Sequence, residues 1–296
     1  MITPFAEDDT IDRELLAEEA RFHSACGVNG LVVAGSTGEG AGMTPDEVAE
    51  CVTIVRNALN DRIPVIAGVI ADNSAEAVAI ARTAARAGAS GLQVPPPAYR
   101  PSTDIRVLSA YYQAITDATG LPLIIYNVIP WAQVAIDSLE EMIARNNLII
   151  GVKQSGRNFH ALADLLAHRV TGAKIYSAID DMLYPSFMLG ADGTISGTAS
   201  VFPAETIELM RAVESRNFER ALQLHNILAP VWRTVDQPDF PARIKYVLRL
   251  MGRPAGRPRR PFDWPTAPVA ESIRQALERG GLLRPGVQHQ SSLVAD

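Results

Sequence analysis

Leu121-Pro-Leu-Ile-Ile-Tyr126 and, after a helical stretch, Leu148-Ile-Ile-Gly-Val-Lys153 decide the fold. Each is a short apolar run without polar alternation, the pattern of a strand covered on both faces. From about Asp137, between them, apolar residues recur at helical spacing. Two such strands joined through a helix form a parallel unit, because parallel strands need a crossover. Outward toward the N-terminus, further strands are predicted at Gly30–Gly35, Ile63–Gly68 and Gly91–Val94. Toward the C-terminus they are predicted at Lys174–Ser177 and Thr194–Ser196. The helices between are read over Pro45–Leu59, Ser74–Ala87 and Thr103–Thr119, then from about Asn158 and from about Asp180. Thr44 is an N-cap and Pro45 the first helical residue. About eight such units within roughly 215 residues predict an α/β fold, a (β/α)8 TIM barrel. Its first strand is short or clipped, since Met1–Phe5 leaves a residue or two before Pro4. A doubly wound open sheet would want a phosphate turn after the first strand. The glycine-rich turn here, Gly35–Gly40, follows the second and carries neither GxGxxG nor a P-loop lysine.

Beyond Pro203 the pattern is wholly helical: Ala204–Ser215, Phe218–Val235, Pro241–Met251 and Pro268–Arg279. The barrel is therefore placed at 1–203, its last helix continuing to about 215. A C-terminal helical extension is placed at 216–285 and a disordered tail at 286–296. A net charge of -6 argues against nucleic acid and anionic membrane as partners. Arg253–Arg260, broken by Pro and Gly, reads as a connecting loop. There is no apolar run of about 18 residues and no leader-like start, so a cytoplasmic protein is expected. Cys26 and Cys51 fall in helix-like segments without metal-ligand spacing and are expected to be reduced.

In a (β/α)8 barrel the active site lies at the C-terminal ends of the strands. Those ends carry Ser36, Thr37, Tyr126, Lys153, Asp180 and Ser196. A lysine pointing into a barrel mouth is held out of water, and desolvation favours the neutral amine that attacks a ketone to give an imine. The competing reading is a strand-end lysine reaching back to solvent. Tyr126 would relay protons, or merely cap the barrel top. Ser36 and Thr37 sit in a tight turn whose hydroxyls and N–H groups suit a carboxylate, although the same residues are ordinary turn formers. Asp180 and Asp181 also read as acidic residues favouring a helix start. His23, His160, His168, His225 and His289 fall on helices or in the tail, so no metal site and no cofactor is expected.

Gly35-Ser-Thr-Gly-Glu39, Tyr126-Asn127, Gly151-Val-Lys-Gln154 and Gly190-Ala-Asp-Gly-Thr-Ile195 stand in the order and spacing of one family. With Thr3-Pro4-Phe5 as an opening motif, the chain over residues 1 to 260 resembles the dihydrodipicolinate synthase/N-acetylneuraminate lyase family. The resemblance implies a Schiff-base lyase acting on a small-molecule 2-oxo acid and assembled as a homotetramer. It implies Lys153 as the Schiff-base lysine, Tyr126 and Ser36 as the proton relay, and Ser36 with Thr37 as the carboxylate cradle. Ile195 and Ser196 would line the floor, and Asp180 would hold substrate hydroxyls.

Three departures bear on the substrate. Trp131 stands where the family's synthases carry an arginine for a second carboxylate. Pro97 and Ala98 stand where many members have tyrosines, with Tyr99 displaced from that register. Ala178-Ile-Asp180 replaces Gly-Asp-Asp. Trp131 would contact a substrate tail that is hydroxylated or otherwise uncharged, with Arg100 the nearest cation by loop position. The expected reaction is aldol cleavage or condensation, or dehydration, through an enamine. The alternatives are 4-hydroxy-tetrahydrodipicolinate (dihydrodipicolinate) synthase and, in another class, a catalytically silent barrel used as a binding module.

Overall fold

Seven short parallel strands follow one another around a single curled sheet in chain order: β1 (Leu31–Val33), β2 (Val65–Gly68), β3 (Gly91–Val94), β4 (Leu123–Asn127), β5 (Ile149–Gln154), β6 (Lys174–Ser177) and β7 (Gly193–Thr194). The structure is a computed structural model describing residues 1–99, 101–102, 104–168 and 172–283. The expected tail from Gly286, Arg100 and the predicted helix start at Thr103 lie outside the described residues. Val152, Ile125, Leu123 and Val94 are fully buried, as expected of strands covered on both faces. Each such side chain contributes about 1.5–3 kcal/mol of burial.

The eight expected strands become seven. Residues 1–5 form no strand, because Pro4 has no N–H to donate to a ladder. The segment still lies beside the sheet. The Met1 amino group donates to the Val32 carbonyl at 2.9 Å, and Phe5 makes antiparallel bridges to Ile11 and Arg257. Burial pushes the Met1 amine down to about 5. A cavity of about 400 Å³ lies here, lined by Met1 and Val32 on one side and by Thr194 and Ile195 on the other. The last strand is also shorter than Thr194–Ser196, since Ser196 already accepts from the Ala199 N–H as an N-cap.

Helices α1 (Arg13–Cys26), α2 (Pro45–Leu59), α3 (Ser74–Arg86), α4 (Ile105–Thr119), α5 (Ile136–Arg145), α6 (Phe159–His168), α7 (Leu183–Met188) and α8 (Gly197–Val201) alternate with the strands. Their starts follow local chemistry. Thr44 and Glu47 form a reciprocal capping box at α2, Asn73 caps α3 and Asp104 caps α4. A 3₁₀ turn at Asp180–Met182 precedes α7, so the helix expected from Asp180 begins three residues later. The helix read as continuing from the barrel to about 215 is split at Phe202 into α8 and α9 (Pro203–Glu214). Then come α10 (Phe218–Val235), α11 (Phe240–Leu250) and α12 (Ala267–Arg279), whose buried residues belong to the same apolar core as the strands.

The basic stretch after α11 is consumed within the molecule. Arg253 pairs with Glu19, Arg257 with Glu7 and Arg259 with Glu47, while Arg253 also donates to the Val201 carbonyl. Both cysteines are free thiols. Among the described residues no helix is long and apolar enough to cross a membrane.

Candidate active site

Strands β4 and β5 set the centre of the site. Their register pairs Tyr126 directly with Lys153, so the two side chains leave the barrel top side by side. The Lys153 Nζ lies 3.6 Å from the centroid of the Tyr126 ring, and both residues are buried. A cavity of about 590 Å³ opens above them. All eight residues singled out in the sequence line it: Ser36, Thr37, Tyr126, Trp131, Lys153, Asp180, Ile195 and Ser196. This answers the alternative for Lys153, which points into the cavity and is held away from bulk water.

Ser36 and Thr37 come from a turn closed on itself. The Gly38 and Gly40 N–H groups donate to the Gly35 carbonyl, and the Glu39 N–H donates to that of Ser36. The turn is strained at both ends. Ala34 (φ 52°) and Glu39 (φ 60°) occupy the left-handed region, at a cost of about 1–3 kcal/mol each for non-glycine residues. Gly40 and Gly68 permit the close approach that accompanies it. A Cβ on either would fall 1.8 or 2.2 Å from the Ala34 carbonyl oxygen.

Asp180 does not serve the helix that follows it. Its Oδ1 accepts from the Thr198 N–H at 2.5 Å, linking the end of β6 to the first turn of α8. Burial pushes its carboxyl up to about 7, opposed by the Thr198 hydrogen bond and by Lys153. Asp181 instead pairs with Arg233 of α10 at 3.2 Å. Ile195 and Ser196 also line the cavity, and the Ser196 hydroxyl is engaged in capping α8. Trp131 is 69% exposed at the rim, and its indole N–H donates to the Ala98 carbonyl at 2.9 Å. It therefore offers the cavity an apolar face without a free donor. Tyr99, 82% exposed, is not among the lining residues of its own chain's cavity.

The rest of the mouth comes from residues that the strand-end argument passed over. Arg157 follows Lys153 by four positions, in the loop after β5, so the rule that found the lysine could have found it. It donates to the Asp236 carboxylate at 2.8 Å and to the Asp236 carbonyl. Asp236, Pro238, Trp232 and Phe240, from the α10–α11 corner, also line the cavity. Trp232 packs directly on Gly197, where a Cβ would lie 2.3 Å from the ring. No pattern in the sequence announces that corner, because its partners are remote in the chain. Arg157, the guanidinium that lines the cavity, is thus matched by Asp236, and Arg233 pairs with Asp181 beside it. Among the described residues no group of three or more His, Cys, Asp or Glu side chains is placed to hold a metal ion.

Known proteins share the sequence and the fold of this chain. The family model for the dihydrodipicolinate synthetase family matches residues 1–280. A 4-hydroxy-tetrahydrodipicolinate synthase of Mycolicibacterium paratuberculosis is 33% identical over 285 residues, 96% of this chain and 94% of the relative. The dihydrodipicolinate synthase of Acinetobacter baumannii, solved with pyruvate, superposes with a TM-score of 0.88 at 28% identity, covering 96% of this chain and 97% of that one. CdNal from Clostridium difficile, solved with mannosamine, gives a TM-score of 0.83 at 25% identity, covering 94% and 96%. In sequence and in fold, the chain belongs to the dihydrodipicolinate synthetase family, a family of Schiff-base-forming, pyruvate-dependent lyases.

Proposed function

We propose that this lyase acts on a 2-oxo acid whose distal end is uncharged and hydroxylated, with Lys153 as the amine that forms the Schiff base. The Lys153 amine adds to the C2 carbonyl, and the carbinolamine loses water to give an iminium ion. For an aldol substrate, Tyr126 accepts the proton of the C4 hydroxyl while the C3–C4 bonding pair moves into the iminium. The products of that step are an aldehyde and an enamine on Lys153. Protonation at C3 and hydrolysis then release pyruvate and the free amine. Ser36 and Thr37 bind the carboxylate of the 2-oxo acid, and Ser36 extends the proton relay from Tyr126. The single observation that supports these roles is the shared cavity above the paired Tyr126 and Lys153.

The uncharged tail rests on the rim. Trp131 offers an indole face with its N–H already engaged, and Arg157 and Arg233 are paired with Asp236 and Asp181. A second carboxylate brought here would meet guanidinium groups at Arg157 and Arg233 that are already paired, and would gain little at so exposed a rim. An apolar ring face beside carboxylates suits the C–H and O–H surfaces of a sugar-derived chain, with Asp180 accepting from its hydroxyls. The solved relative that holds mannosamine points the same way.

A second reading is favoured by the relatives' names: condensation of pyruvate with aspartate semialdehyde. The test is kcat/KM for that pair against kcat/KM for 2-oxo acids with polyhydroxylated tails. The proposal expects the second class to be turned over better. Efficient dihydrodipicolinate formation, about 10⁴ M⁻¹s⁻¹ or more, would establish the synthase instead.

We also propose a homo-oligomer, a tetramer in line with the family resemblance. Exposed Tyr99 and Val107 supply apolar surface on the β3–α4 connection and the first turn of α4. Light scattering on the purified protein measures the assembly, and a monomer at micromolar concentration would contradict it.

A further inference from the structure

Lys245 is the most completely buried charged group among the described residues, with 0% of its surface exposed. It lies on α11, outside the barrel, yet its Nζ donates at 2.5 Å to Oε1 of Glu39, the last residue of the Gly35–Glu39 turn. The second oxygen of that carboxylate accepts from the Arg259 N–H at 2.9 Å. The Nζ also donates to the Arg257 carbonyl at 2.7 Å and lies 4.6 Å from the centroid of the Phe5 ring. Burial lowers the Lys245 ammonium to about 8, and Glu39 acts against that. Two charges this deep are retained only with close geometry and filled hydrogen bonds, and both conditions hold here.

The placement gives the pair a consequence beyond packing. Glu39 sits in the left-handed region, and its N–H holds the Ser36 carbonyl. The carboxylate is thus fixed from behind by α11 and the strap after it, while the backbone of the same residue fixes the residue that faces the substrate. A left-handed Glu39 persists only where its surroundings over-determine it. The geometry points to Lys245 and Glu39 as positioning residues that hold Ser36 and Thr37 in the shape needed to receive the carboxylate of the 2-oxo acid. Neither touches substrate, since neither lines the cavity. This assignment rests on the carboxylate-binding role proposed above for the turn. It also gives a function to a helix that adds no strand to the barrel.

The test measures how pyruvate concentration controls borohydride trapping on Lys153, in the intact protein, for wild type, Lys245→Met and Glu39→Gln. Glu39→Gln keeps the shape of the side chain and removes its charge. It supplies a folded variant should Lys245→Met fail to accumulate. Melting temperatures are recorded alongside, and trapping is run well below them. The expected result is at least a tenfold rise in the half-saturating pyruvate concentration, with the trapping rate at saturation within about threefold of wild type. Unchanged half-saturation together with a lowered melting temperature would overturn the inference and leave the pair as a packing element. Wild-type trapping separates the two readings. Without any wild-type adduct the Schiff-base assignment itself is lost, whereas a normal wild-type adduct with unshifted variants removes only the positioning role.

Discussion

Replacing Asp180 by Asn should make the protein more stable at pH 8 and leave it nearly unchanged at pH 4. The carboxyl is buried at the cavity wall, and burial raises it from an ordinary 3.8 to about 7. The folded protein therefore holds this proton more tightly than the unfolded chain does. Between those two values the folded state is protonated at Asp180 and the unfolded state is not. Stability falls as pH rises through that window, and the loss is complete above about pH 7. At ~1.4 kcal/mol for each tenfold difference in proton affinity, the full loss is roughly 4 kcal/mol, an upper figure that water entering the cavity reduces to on the order of 2–4 kcal/mol. Asn is neutral at every pH and its amide oxygen can still accept from Thr198. The assay is urea unfolding of both proteins from pH 4 to 8.5, read as the difference between them so that other titrating groups cancel. A difference independent of pH, or an Asn variant less stable at pH 8, would refute the reasoning.

Lys153→Arg should abolish turnover while leaving the melting temperature within a few degrees, because a guanidinium stays protonated and forms no imine; retained activity in a steady-state assay would contradict it. Tyr126→Phe should still trap pyruvate but turn over about 10²–10⁴-fold more slowly, the worth of one positioned acid–base group; near-normal kcat would make the phenol a packing residue. Trp131→Arg should improve kcat/KM for a 2-oxo acid with a distal carboxylate and worsen it for a hydroxylated one, through a bidentate guanidinium–carboxylate pair. No change in that ratio would show that the rim does not read the tail.

The barrel was legible because its strands are apolar runs and its helices carry their own caps: Thr44 and Pro45 announce α2 before any contact is known. Lys153 and Tyr126 were legible for a second reason. A (β/α)8 barrel presents its chemistry at the C-terminal face, and the register of β4 on β5 then brings the two together. What stayed hidden depends on long-range partners. That Asp180 would accept from the Thr198 N–H of α8, 18 residues away, cannot be read from two acidic residues before a helix. Arg157 with Asp236 and Glu39 with Lys245 join positions 79 and 206 residues apart, and nothing in either local pattern names its partner. The helices after residue 203 read correctly as helices, but periodicity shows only that a face is apolar. It does not show that the α10–α11 corner contributes to the cavity lining. The opening strand failed for a local reason, the proline at position 4.

The central claim is that Lys153 is the electrophile-capturing amine, and the chain makes the decisive experiment unusually clean because it contains three lysines, Lys153, Lys174 and Lys245. Lys174 lies at the opposite end of its strand and is paired with Asp192, while Lys245 is sealed against Glu39. Purified protein incubated with pyruvate and borohydride, then digested and mapped by mass spectrometry, should carry one reduced adduct on the peptide containing Lys153. No adduct, or one on the peptide of Lys174 or Lys245, would contradict the account.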